Sequence, residues 1–172
     1  MRMTSDQRLR QSRLVFYEED ISRIDKVLSE FLRLSGAKCA LLVDKEGHLV
    51  TKQGEVKTLN MDTISALVAG SFAATKEMAK LLGEEHFSAL FHQGERDNIQ
   101  LSLVGDRTLL TILFDDRTTV GMVRLYANEA CKKLVNIFSD SERRMKEEGP
   151  RELDLGKGYG NSAKDKLDNL FQ

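Results

Sequence analysis

The chain has 172 residues and no internal repeat, which suits one domain with tails, and its 41% hydrophobic residues are enough for a core of ordinary size. Its 26 basic residues are balanced by 27 acidic ones, so the clustered positive excess that nucleic-acid binding requires is missing. Because it has neither a long apolar run nor a hydrophobic signal core, we expect no membrane insertion and a cytoplasmic location.

The N-terminal segment predicts a basic arm followed by a helix. Residues 1–15 contain several arginines and few apolar side chains, a composition typical of disorder. From Tyr17 to Leu34 the apolar side chains share one helical face, and acidic residues stand where a helix N-terminus favours negative charge. Gly36 is expected to end this helix. The predicted buried positions are Ile21, Ile24, Val27, Leu28, Phe31 and Leu32.

A hairpin is predicted next. The apolar run Lys38–Asp44 is closely bounded by turn residues, Asp44–Gly47 makes the turn, and His48–Lys52 returns as a second strand. Cys39 lies inside the first run and Cys131 inside a later apolar pattern. Isolated cysteines without a neighbouring ligand are typical of buried, reduced thiols.

The segment Asn60–Gly83 predicts one long helix with two unlike faces. The face expected to be buried carries Ile64, Leu67, Val68, Met78 and Leu82, with Phe72 and Leu81 at its margins. The middle of the opposite face is small, with Ala66, Ala69, Gly70 and Ala73, and charge lies only at the ends. Small residues at this spacing let another backbone approach closely. Alanine is also simply the best helix former, but Gly70, which costs roughly 1 kcal/mol relative to alanine, favours a contact surface.

Three more strands and a last helix follow. The strands are predicted at His86–His92, Asn98–Val104 and Thr108–Phe114, and the middle one alternates so that Asn98, Gln100 and Ser102 face a wetter side. Thr118 or Thr119 caps the helix, which ends at Phe138 or continues through Arg144. Its predicted buried stripe is Val120, Val123, Ala127, Ala130, Leu134, Ile137 and Phe138, with Met122 and Leu125 nearer the outer side.

The order helix-strand-strand-helix-strand-strand-strand-helix predicts an α+β sandwich over residues 16–145. One five-stranded antiparallel sheet with helices on both faces would bury all three helical stripes. The run at residues 86–92 would then lie on an outer edge, where an apolar strand invites pairing with another chain. Together with the small-residue face, this edge predicts a symmetric homodimer with a continuous sheet.

The C-terminal tail predicts a linker and a short binding segment. Residues 146–161 contain Pro150 and several glycines, a composition typical of a flexible linker. The sequence GKGYG there has neither the preceding strand nor the following Lys-Ser/Thr of a phosphate-binding loop. Residues 162–172 can form an amphipathic turn or two with Leu167, Leu170 and Phe171 on one side. These residues could bind a partner or pack on their own domain.

Nothing in the sequence predicts catalytic, metal-binding or cofactor-binding residues. His48, His86 and His92 have no cysteine, histidine or carboxylate at metal-ligand spacing. Asp115 and Asp116 suit a turn before a capped helix, and no serine or cysteine stands in a nucleophile elbow.

Several motifs resemble those of the Roadblock / dynein light chain domain family. They are the D-K-E-G hairpin, A-x-x-x-G-S-F-A-A-T in the long helix, H-Q-G-E-R-D-N before the fourth strand, and F-D-D-R-T-T-V-G-M-V-R-L at the last helix. The resemblance covers roughly residues 17–138 and the end of the tail. It implies a homodimer that binds a Ras-like small GTPase of the bacterial cell-polarity type and stimulates its GTP hydrolysis. The residues it places at or near the partner are Ala66, Ala69, Gly70, Ala73 and Ala74, with the KLDNLF tail as a second contact.

The sequence leaves the mode of action open. A regulator of GTP hydrolysis can supply an arginine or remodel the GTPase. For Arg96, Arg107, Arg117 and Arg124 we expect surface or capping salt bridges, which favours remodelling. A Roadblock-type scaffold that leaves turnover unchanged would use the same surface. A small-ligand sensor would need a polar pocket between helix and sheet, where the predicted inward positions are apolar.

Overall fold

The computed structural model describes residues 16, 18–55 and 57–148. Its helices are α1 (Glu18–Ser35), α2 (Met61–Leu81) and α3 (Val120–Glu148), and its strands are β1 (Cys39–Asp44), β2 (Leu49–Gly54), β3 (Ala89–His92), β4 (Asn98–Val104) and β5 (Thr108–Phe114). The chain divides into two compact units, residues 1–138 and 139–172. The described part of the second unit, residues 139–148, is helical.

The strands form one five-stranded sheet in the order β2-β1-β5-β4-β3, and every neighbouring pair is antiparallel. The predicted order of elements and the predicted α+β sandwich are therefore confirmed. β3 lies at one edge of the sheet, as expected from joining the hairpin to the meander through β1 and β5.

Two element bounds differ from the prediction by three residues or more. The third strand starts at Ala89 instead of His86, and α3 runs to Glu148, three residues into the predicted linker. The polar residues after Phe138 gave no buried stripe from which to place that end. The predicted arm at residues 1–15, the rest of the linker and the segment at residues 162–172 lie outside the described residues.

One face of the sheet is covered by α1 and α3. Their buried side chains pack on Ala40, Leu42, Leu110 and Ile112, which alternate along β1 and β5. The predicted stripes are confirmed here, because the α1 positions and the α3 positions all lie in or against this cluster. Met122 and Leu125 are exposed, as predicted.

The other face is covered by α2, and here the predicted stripe is confirmed only in part. Val68 and Phe72 are buried and Ile64 is half-buried, but Leu67, Met78, Leu81 and Leu82 are exposed. The helix is turned by roughly a quarter turn from the orientation that its largest side chains suggested. The side chains that it buries are Met61, Ser65, Val68, Ala69, Phe72 and Ala79.

The helix ends follow ordinary capping chemistry. The Asn60 side chain accepts a hydrogen bond from the Thr63 amide at 3.1 Å at the start of α2. At its end Gly83 takes a φ of 83°, and the Glu84 amide donates to the carbonyl of Ala79. For α3 the cap is Thr119, whose hydroxyl accepts from the Met122 amide at 3.2 Å.

A polar seam divides the core beneath α2. Ser65 on α2 and Thr111 on β5 are fully buried, and neither hydroxyl has a hydrogen-bond partner among the described residues. On β5, Leu113 packs in one apolar cluster and Leu109 in another, with Thr111 between them. A buried polar group without a partner costs about 1 to 3 kcal/mol, so the seam weakens the attachment of α2 to the sheet.

Thr111→Val is expected to raise the free energy of unfolding by about 1 kcal/mol, because it removes a buried hydroxyl that finds no partner in the described part of the chain. Thr108→Val is the matched control. Thr108 is equally buried on the same strand, but its hydroxyl donates to the Val104 carbonyl at 2.9 Å, so its loss should destabilise by a similar amount. Urea unfolding at one protein concentration measures the free energy of unfolding of both variants. Equal destabilisation by the two variants would contradict the finding that the Thr111 hydroxyl lacks a hydrogen-bond partner in the described part of the chain.

Candidate functional site

The exposed side of α2 is uncharged along its middle. Asp62 and Lys76 are exposed at the two ends of this middle stretch, and no exposed position between them carries a charge. These positions are Thr63, Ala66, Leu67, Gly70, Ala73 and Ala74. They extend over roughly 17 Å of helix, where a solvated helix surface would normally alternate in charge. We call them the α2 ridge.

Large apolar side chains continue this surface toward the end of α2. Leu67 is 68% exposed and Met78 is 57% exposed, while Leu81 and Leu82 are more than four-fifths exposed. Several large exposed apolar side chains on one element are typical of a surface that another protein covers.

The structure brings together four of the five helical residues predicted to contact a partner. Ala66, Gly70, Ala73 and Ala74 belong to the α2 ridge, whereas Ala69 is only 6% exposed and faces inward. The side chain of Ala69 is therefore not part of the surface. The predicted tail residues Leu167, Leu170 and Phe171 lie outside the described residues.

Two glycines shape the surroundings of the α2 ridge, Gly70 by leaving open space and Gly47 by letting the β1–β2 turn approach closely. A Cβ at Gly70 would meet nothing within 4 Å in the described part of the chain, so this position is open to an approaching molecule. Gly47, in the turn between β1 and β2, has a φ of 97°, and a Cβ there would come within 3.0 Å of the Ala66 Cα. The hairpin turn therefore packs directly beside the start of the α2 ridge.

β3 offers a free backbone edge. The Leu103 amide donates to the Ser88 carbonyl at 2.8 Å, which extends the β3–β4 pairing. Because the bonded residues alternate in an antiparallel pair, the backbone groups of Ala89 and Phe91 point away from β4. Within residues 18–55 and 57–148, no strand pairs with this row of donors and acceptors.

The opposite edge, β2, is blunted. Its register slips between Leu42 and Val43, so that Val50 has no partner on β1, and Lys52 follows it along the edge. A bulge and a lysine are both devices that discourage pairing of an edge strand. The four residues of β3 include neither of them.

The α2 ridge and the β3 edge are neighbours. The rings of Phe72 on α2 and Phe87, just before β3, stack with centroids 4.9 Å apart. The Ser71 hydroxyl lies 3.5 Å from Nε2 of His92 at the end of β3. One partner could therefore touch both surfaces.

Arg107, Arg117 and Arg124 make different kinds of contact. Nε of Arg117 donates to both carboxylate oxygens of Asp115, at 2.9 and 3.1 Å, and its terminal nitrogens reach Glu55. These bonds hold the pKa of Asp115 below its usual range. Arg107 lies 3.9 Å from Asp106. Arg124 was expected to form a salt bridge or cap and instead lies over the ring of Phe91, with Nε 3.4 Å from Oε1 of Gln100.

Gln100 corrects the expectation of a wet face on β4. Its side chain is fully buried, with its amide nitrogen 3.2 Å from the Leu101 carbonyl and its oxygen beneath Arg124. Asn98 and Ser102 are half-buried.

The cysteines are free and poorly suited to nucleophilic chemistry. Burial raises the pKa of both Cys39 and Cys131 to about 11. A thiolate is the reactive form, so both thiols are largely unreactive near neutral pH.

Asp44, Glu46 and His48 bring possible metal-ligand atoms within 4.8 Å of one another in the β1–β2 turn. Asp44 Oδ1 already accepts from the amides of Glu46 and His48, at 3.0 and 2.8 Å. Its other oxygen lies 3.1 Å from Nδ1 of His48. These bonds are the ordinary chemistry of an Asx turn, so we assign the group to the hairpin.

A shallow groove between α1 and α3 is lined in part by Val27, Phe31, Leu34 and Tyr126. Its volume is about 20 Å³, room for about one water molecule. It is too small for the ligand of a small-molecule sensor.

Among the described helices, none has both the length and the apolar character to cross a bilayer.

The sequence pointed to the small residues but missed the large ones. The predicted core included four large side chains that the structure exposes, Leu67, Met78, Leu81 and Leu82. Together with Ile64, Val68 and Phe72, they cover more of the helix surface than one buried face can take. That excess of large apolar residues was the available signal for a second contact face.

The chain is similar in sequence and fold to known proteins. Residues 23–114 match the Roadblock/LC7 domain. The gliding protein MglB of Thermus thermophilus is 38% identical with a TM-score of 0.70, and Myxococcus xanthus MglB is 37% identical with a TM-score of 0.69. Each match covers 74% of this chain and 96% of the other. A structure described as MglB with a tetrameric arrangement is 37% identical over the same shares, with a TM-score of 0.71.

Proposed function

Because this chain belongs to the Roadblock/LC7 family, we propose that it is a cytoplasmic, homodimeric regulator that binds a Ras-like small GTPase of the cell-polarity type and stimulates its GTP hydrolysis. Its similarity to the MglB gliding proteins supports a place in bacterial polarity or motility.

The observation that carries the proposal is the α2 ridge. A helix that buries Ser65 and Ala79 while exposing Leu67 and Met78 leaves several large apolar side chains in water when the chain is isolated. Burying them against partners would recover about 25 cal/mol for each Å² of apolar surface removed from water. The absence of charge along the ridge suits close, uncharged contact.

The dimer would form through β3. Pairing two β3 edges antiparallel about a two-fold axis joins two five-stranded sheets into one. Because α2 neighbours β3, the same axis brings the two α2 helices onto one face. Part of the exposed apolar surface would then lie between the copies, and the small residues Ala66, Gly70, Ala73 and Ala74 would form a platform for the GTPase.

We assign the stimulation to remodelling of the GTPase. Hydrolysis requires an oriented water and stabilisation of the charge that develops on the phosphates. Helix α2 contains no arginine, Arg117 is held by Asp115 and Glu55, and Arg124 is held over Phe91. These observations favour a dimer that stabilises the GTP-bound switch geometry. An Arg→Ala change that abolished stimulation with binding intact would refute this mode.

The tail would add a second contact. Leu167, Leu170 and Phe171 are too few to bind tightly alone, but tethering raises their effective concentration to about the millimolar range. A weak segment then contributes useful affinity once the domain has docked.

Gly70→Arg tests the platform. Arginine favours a helix over glycine by roughly 0.8 kcal/mol, and the open space at Gly70 accommodates it, so the fold should persist. We expect GTP turnover by the small GTPase to fall to its intrinsic rate. Gly121→Arg, the same change at an exposed position in the first turn of α3, should leave stimulation intact.

Ala69→Arg is unsuitable as a test, because Ala69 is buried and the change would disturb the packing of α2. Loss of stimulation in both the Gly70 and the Gly121 variants would contradict the assigned platform. Binding of the wild-type protein without any stimulation would reduce the function to that of a scaffold.

Ala89→Pro tests the dimer. The Ala89 N–H points away from β4, so proline removes a donor only from the free edge, a position that edge strands accept. We expect a monomer by light scattering with unchanged circular dichroism. Lys52→Pro is the matched control on β2, because the Glu55 amide donates to the Lys38 carbonyl and the alternation then directs the Lys52 N–H outward. A dimer lost only in the Lys52 variant would place the interface at the other edge.

Removing residues 162–172 tests the tail. We expect maximal stimulation to persist, with the concentration for half-maximal stimulation raised about 10-fold or more, because tethered avidity is lost. Titration of GTP turnover measures both values. An unchanged titration would mean that the segment does not touch the GTPase.

A further inference from the structure

Arg124 connects the start of α3 to the edge strand β3. Its guanidinium carbon lies 5.7 Å from the centroid of the Phe91 ring, and Nε lies 3.4 Å from Oε1 of Gln100 on β4. The ring of Phe91 in turn stacks with Phe114 on β5, with centroids 6.1 Å apart. One exposed side chain thus touches residues of both edge-side strands.

Among the described residues, little else supports β3 from the α3 side. β3 has only four residues, and it is bonded to β4 alone. Toward α2, Leu90 packs in the cluster of Val68 and Phe72. Toward α3, Phe91 is the side chain of β3 that packs against the main core, and Arg124 covers it.

Gln100 makes the position of Arg124 specific. The Gln100 side chain is fully buried and turns its amide nitrogen to the Leu101 carbonyl, which leaves its oxygen as an acceptor. The Nε of Arg124 reaches that oxygen. Since a buried acceptor is costly when it has no donor, this contact fixes the guanidinium over Phe91.

We infer that Arg124 is a positioning residue that orders β3 for pairing with a second copy of this chain. The inference rests on the proposed dimer and assigns this role to one contact on the opposite face of the sheet from α2. A strand that is already ordered loses less conformational freedom on pairing, so the contact strengthens the dimer without touching the partner.

The same residue has a competing role that the test must separate. An exposed arginine in a GTPase regulator could act directly on the phosphates of the bound GTP. In that role it would change the rate of hydrolysis in an assembled complex. As a positioning residue it changes only how much dimer is present.

The experiment compares Arg124→Ala, Arg124→Lys, Phe91→Leu and the Arg124→Ala/Phe91→Leu double variant, with Arg107→Ala as a control for the lost charge. Sedimentation equilibrium gives the dimer dissociation constant, and hydrogen exchange gives the protection of the Leu90 and His92 amides, which point toward β4. GTP hydrolysis is measured at protein concentrations at which every variant is dimeric.

We expect Arg124→Ala to weaken the dimer by up to about 5- to 30-fold, the limit reached if the contact energy of both subunits goes into ordering β3, and to speed exchange at the Leu90 and His92 amides. Arg124→Lys should recover part of this, because an ammonium also lies favourably over an aromatic ring. The double variant should weaken the dimer by less than the product of the single effects, because both changes remove one interaction. Stimulation per dimer and the Arg107→Ala control should stay at the wild-type level.

An unchanged dissociation constant in Arg124→Ala would overturn the inference, whether or not exchange at Leu90 and His92 changes. Stimulation abolished in a variant that is fully dimeric and bound would also overturn it, in favour of a direct role on GTP. A monomeric wild-type protein would instead overturn the proposed dimer, and exchange at the Leu90 and His92 amides would still show whether Arg124 orders the strand.

Discussion

The packing of α2 on the sheet through small side chains determines the rest of the surface. Ser65, Ala69 and Ala79 let the helix lie close to the strands, and in doing so they turn Leu67 and Met78 toward solvent. The hydroxyls of Ser65 and Thr111 lie in this contact without partners in the described part of the chain. These hydroxyls weaken the layer, and the exposed Leu67 and Met78 give it an apolar outer surface.

The edge strand completes this arrangement. β2 carries a bulge and a lysine that discourage pairing, whereas β3 directs the backbone groups of Ala89 and Phe91 outward beside α2. A second copy and a GTPase would then share one continuous region of the molecule. On the opposite face α3 reaches the same strand through Arg124, so that both layers of the sandwich converge on the edge.

The sequence was sufficient for the fold and for part of the exposed surface of α2. The stripes of α1 and α3 are continuous and their outer faces are polar, so periodicity alone identified the buried side. For α2 it failed in part, because both faces carry large apolar side chains: Met61, Val68 and Phe72 are buried, whereas Leu67, Met78 and Leu81 are exposed. Ala69 was misplaced for the same reason. The contact of Arg124 with Phe91 joins residues 33 positions apart in sequence, and no local pattern encodes such a pair.

Labelling of a thiol on the α2 ridge tests the central claim most directly. Ala73→Cys places an exposed thiol there, while burial of Cys39 and Cys131 raises the pKa of both to about 11 and keeps them slow to react at pH 7. The rate of maleimide labelling would be compared with that of Lys132→Cys on α3, with and without the GTP-loaded GTPase. We predict that the GTPase slows labelling at position 73 and not at 132. Slowing at position 132 alone would contradict the α2 ridge as the binding surface.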